Sequence, residues 1–390
     1  MNFSDQIYRL NTLIIASALA LTVAACGGGS ASNAGDLTSE SPAPEPVVDT
    51  EPAPEPEPVD IPEPEPEPEP GIAFPPDSPD LPVPPQVPQG PDFLPEDEAW
   101  EMVFSSEFNG DSLDRTQWIP EESCWGGGNN ELQCYTDREE NIQVVNGQLR
   151  LIAQKETYTG PHTPPEFTIP GAPAFTTQEY TSGQLRTRTL HDWTYGRFAA
   201  RMLLPEGQGA WPAFWMFPID EVYGPWPLSG EIDVMEAVNL TEICPVCPNN
   251  EENRIYTTIH FGDPFPLNDQ FGGVDALPGD FRPYEEFHVY SVEWAEGRIE
   301  WYIDDTRVFV ADTDDWFTAS TVPQAIGNPN APFDENFYLR LNLAVGGAFP
   351  NAVNLQTFEP ESFPDELLVD WVRVYQCDTD PVTGLDCLRP

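Results

Sequence analysis

Three carboxylates lie close together in the stretch 230–236: Glu231, Asp233 and Glu236. The residues between them are apolar, which predicts a β-strand, and a strand directs residues i and i+2 to the same face. Glu231 and Asp233 therefore share a face, and one extra residue, a β-bulge, would bring Glu236 to it. Clustered carboxylates repel, so at least one pKa should rise and leave one acid protonated at neutral pH. Glycoside hydrolysis with retention needs such a pair, one carboxylate to attack and one acid to protonate the leaving oxygen.

The surrounding chain indicates which elements position these acids. It consists of short strand-like segments separated by turns, with tight hairpin turns predicted at Asn146-Gly147 and Asp304-Asp305. Regular strands without long amphipathic helices predict an all-β domain over 99–376, a sandwich of two antiparallel sheets. A solvated strand with scattered acids is the alternative for 230–236, but acids are depleted in strands. Strands are predicted at 142–145, 148–153, 197–203, 255–260, 288–294, 299–303, 306–310, 338–343 and 368–375.

Tryptophans are frequent around the acidic stretch. Aromatic rings stack on the apolar faces of sugar rings, and a curved sandwich can line its concave sheet with them. Trp294, Trp301 and Trp371 lie inside strand-like segments, and these three are predicted to be structural. Those that flank the acids in sequence are Trp125, Trp193, Trp211, Trp215 and Trp226.

Several motifs, in order along roughly 100–376, resemble glycoside hydrolase family 16. The acidic strand has the bulged form E-x-D-x-x-E, and the stretch from Gly126 to Gln133 resembles laminarinase-like members that cleave β-1,3-glucan. The resemblance implies a jelly-roll β-sandwich with a concave substrate cleft and an endo-acting retaining hydrolase. The matching stretches are 125–133 (WGGGNNELQ), 180–183 (YTSG), 195–198 (YGRF), 211–216 (WPAFWM), 342–347 (NLAVGG) and 369–375 (VDWVRVY).

The same resemblance implies roles for individual residues. Glu231 matches the nucleophile, Asp233 the residue that holds and tunes it, and Glu236 the acid/base. No cofactor is implied for catalysis. The residues implied to lie in or near the sugar cleft are Asn129, Trp211, Trp215, Trp226 and His260.

A structural calcium ion is also implied, since many members bind one on the convex face. The positions that match its ligands are Glu107, the carbonyl of Gly147 and Asp370. Oxygen ligands are those that calcium prefers. An ordinary hydrogen-bonded carboxylate is the alternative for Glu107.

Three stretches depart from the family's pattern. Gln184 stands where a basic residue is common, Ala348-Phe349-Pro350 stands where Asn-Trp-Pro is frequent, and 158–177 has the character of an insertion beside the cleft. Agarose-type galactan and mixed-linkage β-glucan therefore stay open as alternative substrates. A non-catalytic glycan-binding lipoprotein is a further alternative, although such proteins typically lose an acid and all three are present here.

The first hundred residues differ in composition from the rest. Residues 12–25 are an apolar run that is too short to span a bilayer, and Cys26 follows it directly. This arrangement resembles a bacterial lipoprotein signal peptide over 1–25. A non-lipidated secretory signal is the alternative. Residues 26–98 are rich in Pro and Glu and predict an extended, disordered linker. We therefore expect a domain lipid-anchored at Cys26 to the bacterial cell envelope, on the outer membrane and outside the cytoplasm.

Charge limits the partners of this chain. The formal net charge is −50, with 16 Lys and Arg against 66 Asp and Glu. Such charge repels nucleic acids and sulfated polymers, so a neutral polysaccharide is the expected substrate. The protein is expected to be a monomer.

Six cysteines remain besides Cys26, and an even number in an exported chain favours disulfides. Fifteen pairings are formally open, and sequence-local pairing predicts Cys124–Cys134, Cys244–Cys247 and Cys377–Cys387. No second cysteine pair has the spacing of a zinc site. The last predicted pair would close a C-terminal tail, 377–390.

Overall fold

A computed structural model describes residues 99–165, 167, 169–275, 281–353 and 363–389. The predictions for the signal peptide, for the linker 26–98 and for lipidation at Cys26 lie outside these described residues. None of the helices in the described ranges is long and apolar enough to cross a membrane. The regular structure of these ranges is almost entirely β-strand.

The strands are short and follow one another closely, as the turn pattern predicts. The helices in the described ranges are one short α-helix, α1 (Ala348–Ala352), and 3-10 turns at Gly126–Gly128, Pro248–Asn250 and Leu385–Cys387. The strands are β1 (Trp100–Ser106), β2 (Ile119–Pro120), β3 (Gln133–Tyr135), β4 (Ile142–Val145), β5 (Gln148–Ala153), β6 (Tyr158–Pro161), β7 (Phe175–Gln178), β8 (Tyr180–Ser182), β9 (Gln184–Arg186), β10 (Gly196–Leu203), β11 (Ala210–Pro218), β12 (Glu231–Glu236), β13 (Ile255–Phe261), β14 (Asp269–Asp275), β15 (His288–Ala295), β16 (Arg298–Ile303), β17 (Thr306–Asp312), β18 (Phe337–Val345) and β19 (Asp365–Cys377).

Two large antiparallel sheets contain most of these strands. Sheet A has the order β17-β16-β15-β10-β19-β5-β4, with β1 also paired to β19. Sheet B has the order β14-β13-β12-β11-β18-β9-β2, so the acidic strand β12 lies inside it. The region 158–177 contributes strands β6 and β7, which pair with each other as a small hairpin. The predicted all-β sandwich is confirmed.

The core lies between the two sheets and is rich in aromatic side chains. Trp294 and Trp301 of sheet A and Phe214 of sheet B are fully buried in this core. Trp371 is 3% exposed and packs in a separate small cluster with Ala199 and Val289. The three tryptophans predicted to be structural are therefore buried. Large apolar surfaces removed from water in this way supply the main free energy that holds the sheets together.

The three predicted disulfides are all formed. Cys124 is bonded to Cys134, Cys244 to Cys247 and Cys377 to Cys387. Cys377 and Cys387 pack with Trp100. The described part of the tail thus packs against the first strand of the domain.

Candidate active site

A β-bulge lies at Val234 in β12. Trp215 of β11 is opposite Asp233, whereas the preceding Phe214 is opposite Met235, so Val234 has no counterpart. The pairing of β12 with β13 is interrupted at the same point. The predicted bulge is therefore present, and it puts the third acid of the strand on the face of the first two.

A tryptophan from the opposite sheet supports this bulge. A bulge disrupts the ladder locally, and a buried backbone group without a partner is costly. The indole Nε1 of Trp301, in β16, donates a hydrogen bond to the backbone oxygen of Asp233 at 2.8 Å. The core side chain thus ties sheet A to the residue just before the bulge.

The three acids have defined neighbours on their own face. Trp211 Nε1 donates to Glu236 Oε1 at 2.9 Å. His260 of β13 lies opposite Glu231, and its Nε2 is 3.3 Å from Asp233 Oδ2. One side-chain oxygen each of Glu231 and Asp233 and one ring nitrogen of His260 lie within 4.8 Å of one another. Acid, indole and imidazole groups therefore form one contiguous cluster.

Burial raises the pKa of all three acids. For Glu231 and Glu236, the negative charge of Asp233 raises the pKa further, while His260 acts to lower it. For Asp233, a hydrogen bond with Glu231 opposes the effect of burial on the pKa. The cluster can thus hold ionised and protonated carboxyl groups together near neutral pH, as acid/base chemistry on a glycosidic bond requires.

The indole of Trp215 is fixed by two residues of β18. Its Nε1 donates to Asn342 Oδ1 at 2.7 Å, and the guanidinium of Arg340 lies over the ring, 4.2 Å from its centroid. The Trp226 ring lies 5.9 Å from the His260 ring and so joins the same region. Of the predicted cleft residues, Trp211, Trp215, Trp226 and His260 therefore lie beside the acids or on the strands that flank them.

The fifth predicted cleft residue, Asn129, is exposed on a glycine-rich turn. Its Nδ2 donates to Glu131 Oε1 at 3.2 Å, and Gln133 Nε2 donates to Glu131 Oε2 at 2.7 Å. Gly127 has φ +60°, and a Cβ there would clash with the Glu131 carboxylate, so this turn requires glycine. The backbone N–H of Ala348 donates to the Asn129 carbonyl at 2.7 Å and connects the turn to α1.

The structure brings the three predicted calcium positions to one break in the edge pairing of β19. Strand β19 pairs with β1 through 372–377 and with β5 through 365–369, and Asp370 lies between these two stretches. Glu107 directly follows the end of β1, and Gly147 directly precedes the start of β5. Both carboxylates are already engaged. Arg373 donates to Glu107 at 2.7 and 2.9 Å, and Arg201 donates to Asp370 at 2.6 Å.

Three residues of the site were not found by sequence analysis. Arg340 and Asn342 hold Trp215, and Glu131 holds Asn129. The sequence does contain one sign of the role of Arg340, because it is an isolated charged residue within the apolar strand Phe337–Val345. Glu131 and Asn342 lie inside the motifs already quoted, but the sequence does not show which side chains they contact.

Comparisons with known proteins agree with this site. Residues 129–328 match the family described as Glycosyl hydrolases family 16. The beta-glucanase of Rhodothermus marinus is 37% identical over 281 residues, covering 71% of this chain and 85% of the relative. Glucan endo-1,3-beta-glucosidase A1 of Niallia circulans is 37% identical over 283 residues, covering 70% of this chain and 38% of that longer relative.

A solved structure supports the same relationship. The X-ray structure of the laminarinase from Rhodothermus marinus aligns with a TM-score of 0.54 at 36% identity and covers 71% of this chain and 97% of that one. The matched family, the relatives and the shared sandwich agree with the resemblance of the sequence motifs. This chain belongs to glycosyl hydrolases family 16 and is a glycosidase.

Proposed function

We propose that this protein is an endo-acting hydrolase that cleaves β-1,3-glucan of the laminarin type with retention at the anomeric carbon. The observation that carries the proposal is the bulged strand β12, which gathers three acids on one face beside indole rings, with Asp233 buried and Glu231 and Glu236 half-buried. The similarity to proteins named laminarinase and endo-1,3-beta-glucosidase supports the choice of glucan.

The proposed mechanism assigns one role to each acid. Glu231 attacks the anomeric carbon while Glu236 gives its proton to the departing glycosidic oxygen, which breaks the C–O bond and forms a glycosyl ester. Glu236 then takes a proton from water, and the resulting hydroxide displaces Glu231 from the sugar. Asp233, two residues along the same strand and on the same face, holds and tunes the nucleophile. The raised pKa of Glu236 keeps the required proton available near neutral pH.

The proposed cleft binds glucose units mainly through aromatic faces. Trp215 and Trp226 offer rings for stacking, with Asn129 and His260 as hydrogen-bonding groups. Trp211 is 8% exposed, so its main contribution is the hydrogen bond that holds Glu236. A neutral polymer fits a chain of net charge −50, and for the same reason we propose no nucleic-acid partner.

A substrate panel tests this proposal. The full chain should release reducing ends from laminarin faster than from lichenan, agarose or κ-carrageenan. Preferential release from lichenan or agarose would keep the mechanism and replace the substrate with mixed-linkage glucan or galactan. If no reducing ends are released from any of the four polymers while laminarin still binds, a non-catalytic glycan-binding protein is favoured instead.

A structural calcium ion is part of the proposal, held by Glu107, Asp370 and the carbonyl of Gly147. The meeting of these positions at one break in the edge pairing of β19 supports it, whereas their arginine partners would have to give way to the ion. Chelation with EDTA should then lower the melting temperature by a few degrees, and added Ca²⁺ should restore it. An unchanged melting temperature would remove the calcium site.

We also propose that Cys26 carries a lipid anchor on the bacterial envelope, at the outer membrane, and that the catalytic domain is monomeric. The small residues before Cys26 support the anchor. Cys26→Ser should move the protein from the membrane fraction to the soluble fraction without changing its specific activity. Membrane fractionation equal to that of the unaltered chain would refute the anchor.

A further inference from the structure

The floor of the proposed cleft carries an arginine pair near the position of Gln184. Gln184 stands where the family often has a basic residue, and in the structure it lies opposite Asn342 of β18. Two residues before Asn342, Arg340 lies opposite Arg186. Residues two apart share a face of a strand, so the positive charge is present but displaced by one residue pair.

Arg340 and Arg186 share one carboxylate partner. Arg186 Nη1 lies 3.0 Å from Glu121 Oε2, and Arg340 Nη2 lies 3.5 Å from the same oxygen. The side chains of Glu121 and Arg340 are 3% and 15% exposed, respectively. The two guanidinium groups therefore lie in a poorly solvated place, where charges are weakly screened.

The guanidinium group of Arg340 lies over a residue of β11, the strand between β18 and the acidic strand β12. Arg340 is opposite Trp215, and Trp215 is opposite Asp233, so two strand spacings, about 10 Å, separate Arg340 from β12. The guanidinium lies over the Trp215 ring at 4.2 Å, which directs the long side chain into that gap. Besides Arg340, the charged or titratable groups that most affect the pKa of Glu231 are Asp233 and Glu236 on its own strand and His260 on β13.

We propose that Arg340 is a positioning residue with two tasks: its planar group supports the Trp215 platform, and its charge keeps the Glu231 carboxylate ionised for attack. This inference rests on the proposed roles of Glu231 and Trp215. Arg340 also acts to lower the pKa of Glu231, against the effects of burial and of the two neighbouring acids. Arginine suits both tasks because it is always charged and stacks flat on aromatic rings, as lysine does not.

The pH dependence of kcat/KM on laminarin tests the electrostatic task. The acidic limb of this profile, the rise of kcat/KM as pH increases, reports ionisation of the nucleophile in the free enzyme. Arg340→Met removes the charge and should raise the pKa of Glu231, so the limb should move to higher pH by about 0.5–1 unit. Glu121→Gln removes the opposing charge and should move the limb to lower pH. Arg115→Met, which removes a charge at an exposed ion pair, is the control and should leave the profile unchanged.

The stacking task has a separate readout. Arg340→Lys keeps the charge, so the acidic limb should stay in place while KM for laminarin rises about threefold because the platform loses its flat support. An unmoved limb in folded Arg340→Met, or a shift of the same sign in Glu121→Gln, would overturn the electrostatic task. If Arg340→Met does not fold, Glu121→Gln and Arg340→Lys decide. Inactivity of the unaltered protein on every glucan would refute the proposed function instead.

Discussion

Replacing Glu231 by Gln should lower kcat on laminarin by about 10⁴-fold or more, because the amide cannot form the glycosyl ester on which the proposed mechanism depends. The change is nearly isosteric and removes one ionisable group from a cluster of acids whose charges repel, so the fold should be kept or slightly stabilised. Binding of laminarin oligosaccharides should persist. Steady-state kinetics together with calorimetric titration of a laminarin oligosaccharide would measure both effects.

A matched control is available in Glu101→Gln, which makes the same chemical change at an exposed position of β1. That variant should keep full activity. Hydrolysis by Glu231→Gln within tenfold of the unaltered enzyme would contradict the nucleophile assignment. Loss of oligosaccharide binding along with activity would mean that Glu231 mainly shapes the cleft.

Replacing Glu236 by Gln should separate substrates by their leaving groups. On laminarin the departing sugar oxygen needs a proton, so kcat should fall about 10³–10⁴-fold. On an aryl β-glycoside with a very acidic phenol the first step needs little protonation, and the loss on that step should be at least tenfold smaller. Pre-steady-state release of the phenol would measure this first step directly.

The hydrogen bond from Trp211 gives this test a second comparison. Trp211→Phe removes the donor to Glu236 Oε1 but leaves the acid in place, so it should reduce activity on laminarin far less than Glu236→Gln. Equal losses on laminarin and on the activated glycoside in Glu236→Gln would contradict the acid/base role.

Much of the fold was accessible from sequence because its determinants are local. Hairpin turns such as Asn146-Gly147, where both residues adopt positive φ, set the ends of β4 and β5. The bulge at Val234 was predicted because the spacing of the acids conflicts with a regular two-residue period. The disulfides also join cysteines that are close in sequence.

The supports of the site could not be predicted because they join residues that are distant in sequence. Trp301 reaches the Asp233 carbonyl from the other sheet, 68 positions away, and only the packing of the two sheets creates that contact. Arg340 and Glu121 are 219 positions apart and meet through β9, which lies between β18 and β2. A strand pattern states which face a residue takes but not which strand lies beside it.

The anomeric configuration of the first product tests the central claim most directly. The full chain would be added to laminarin at high concentration, and proton NMR would follow the new reducing ends before mutarotation equilibrates them. The proposed double displacement by Glu231 and Glu236 predicts that the β-anomer appears first and the α-anomer follows slowly. Initial formation of the α-anomer would mean a single displacement by water and would contradict the assignment of a nucleophile on the bulged strand.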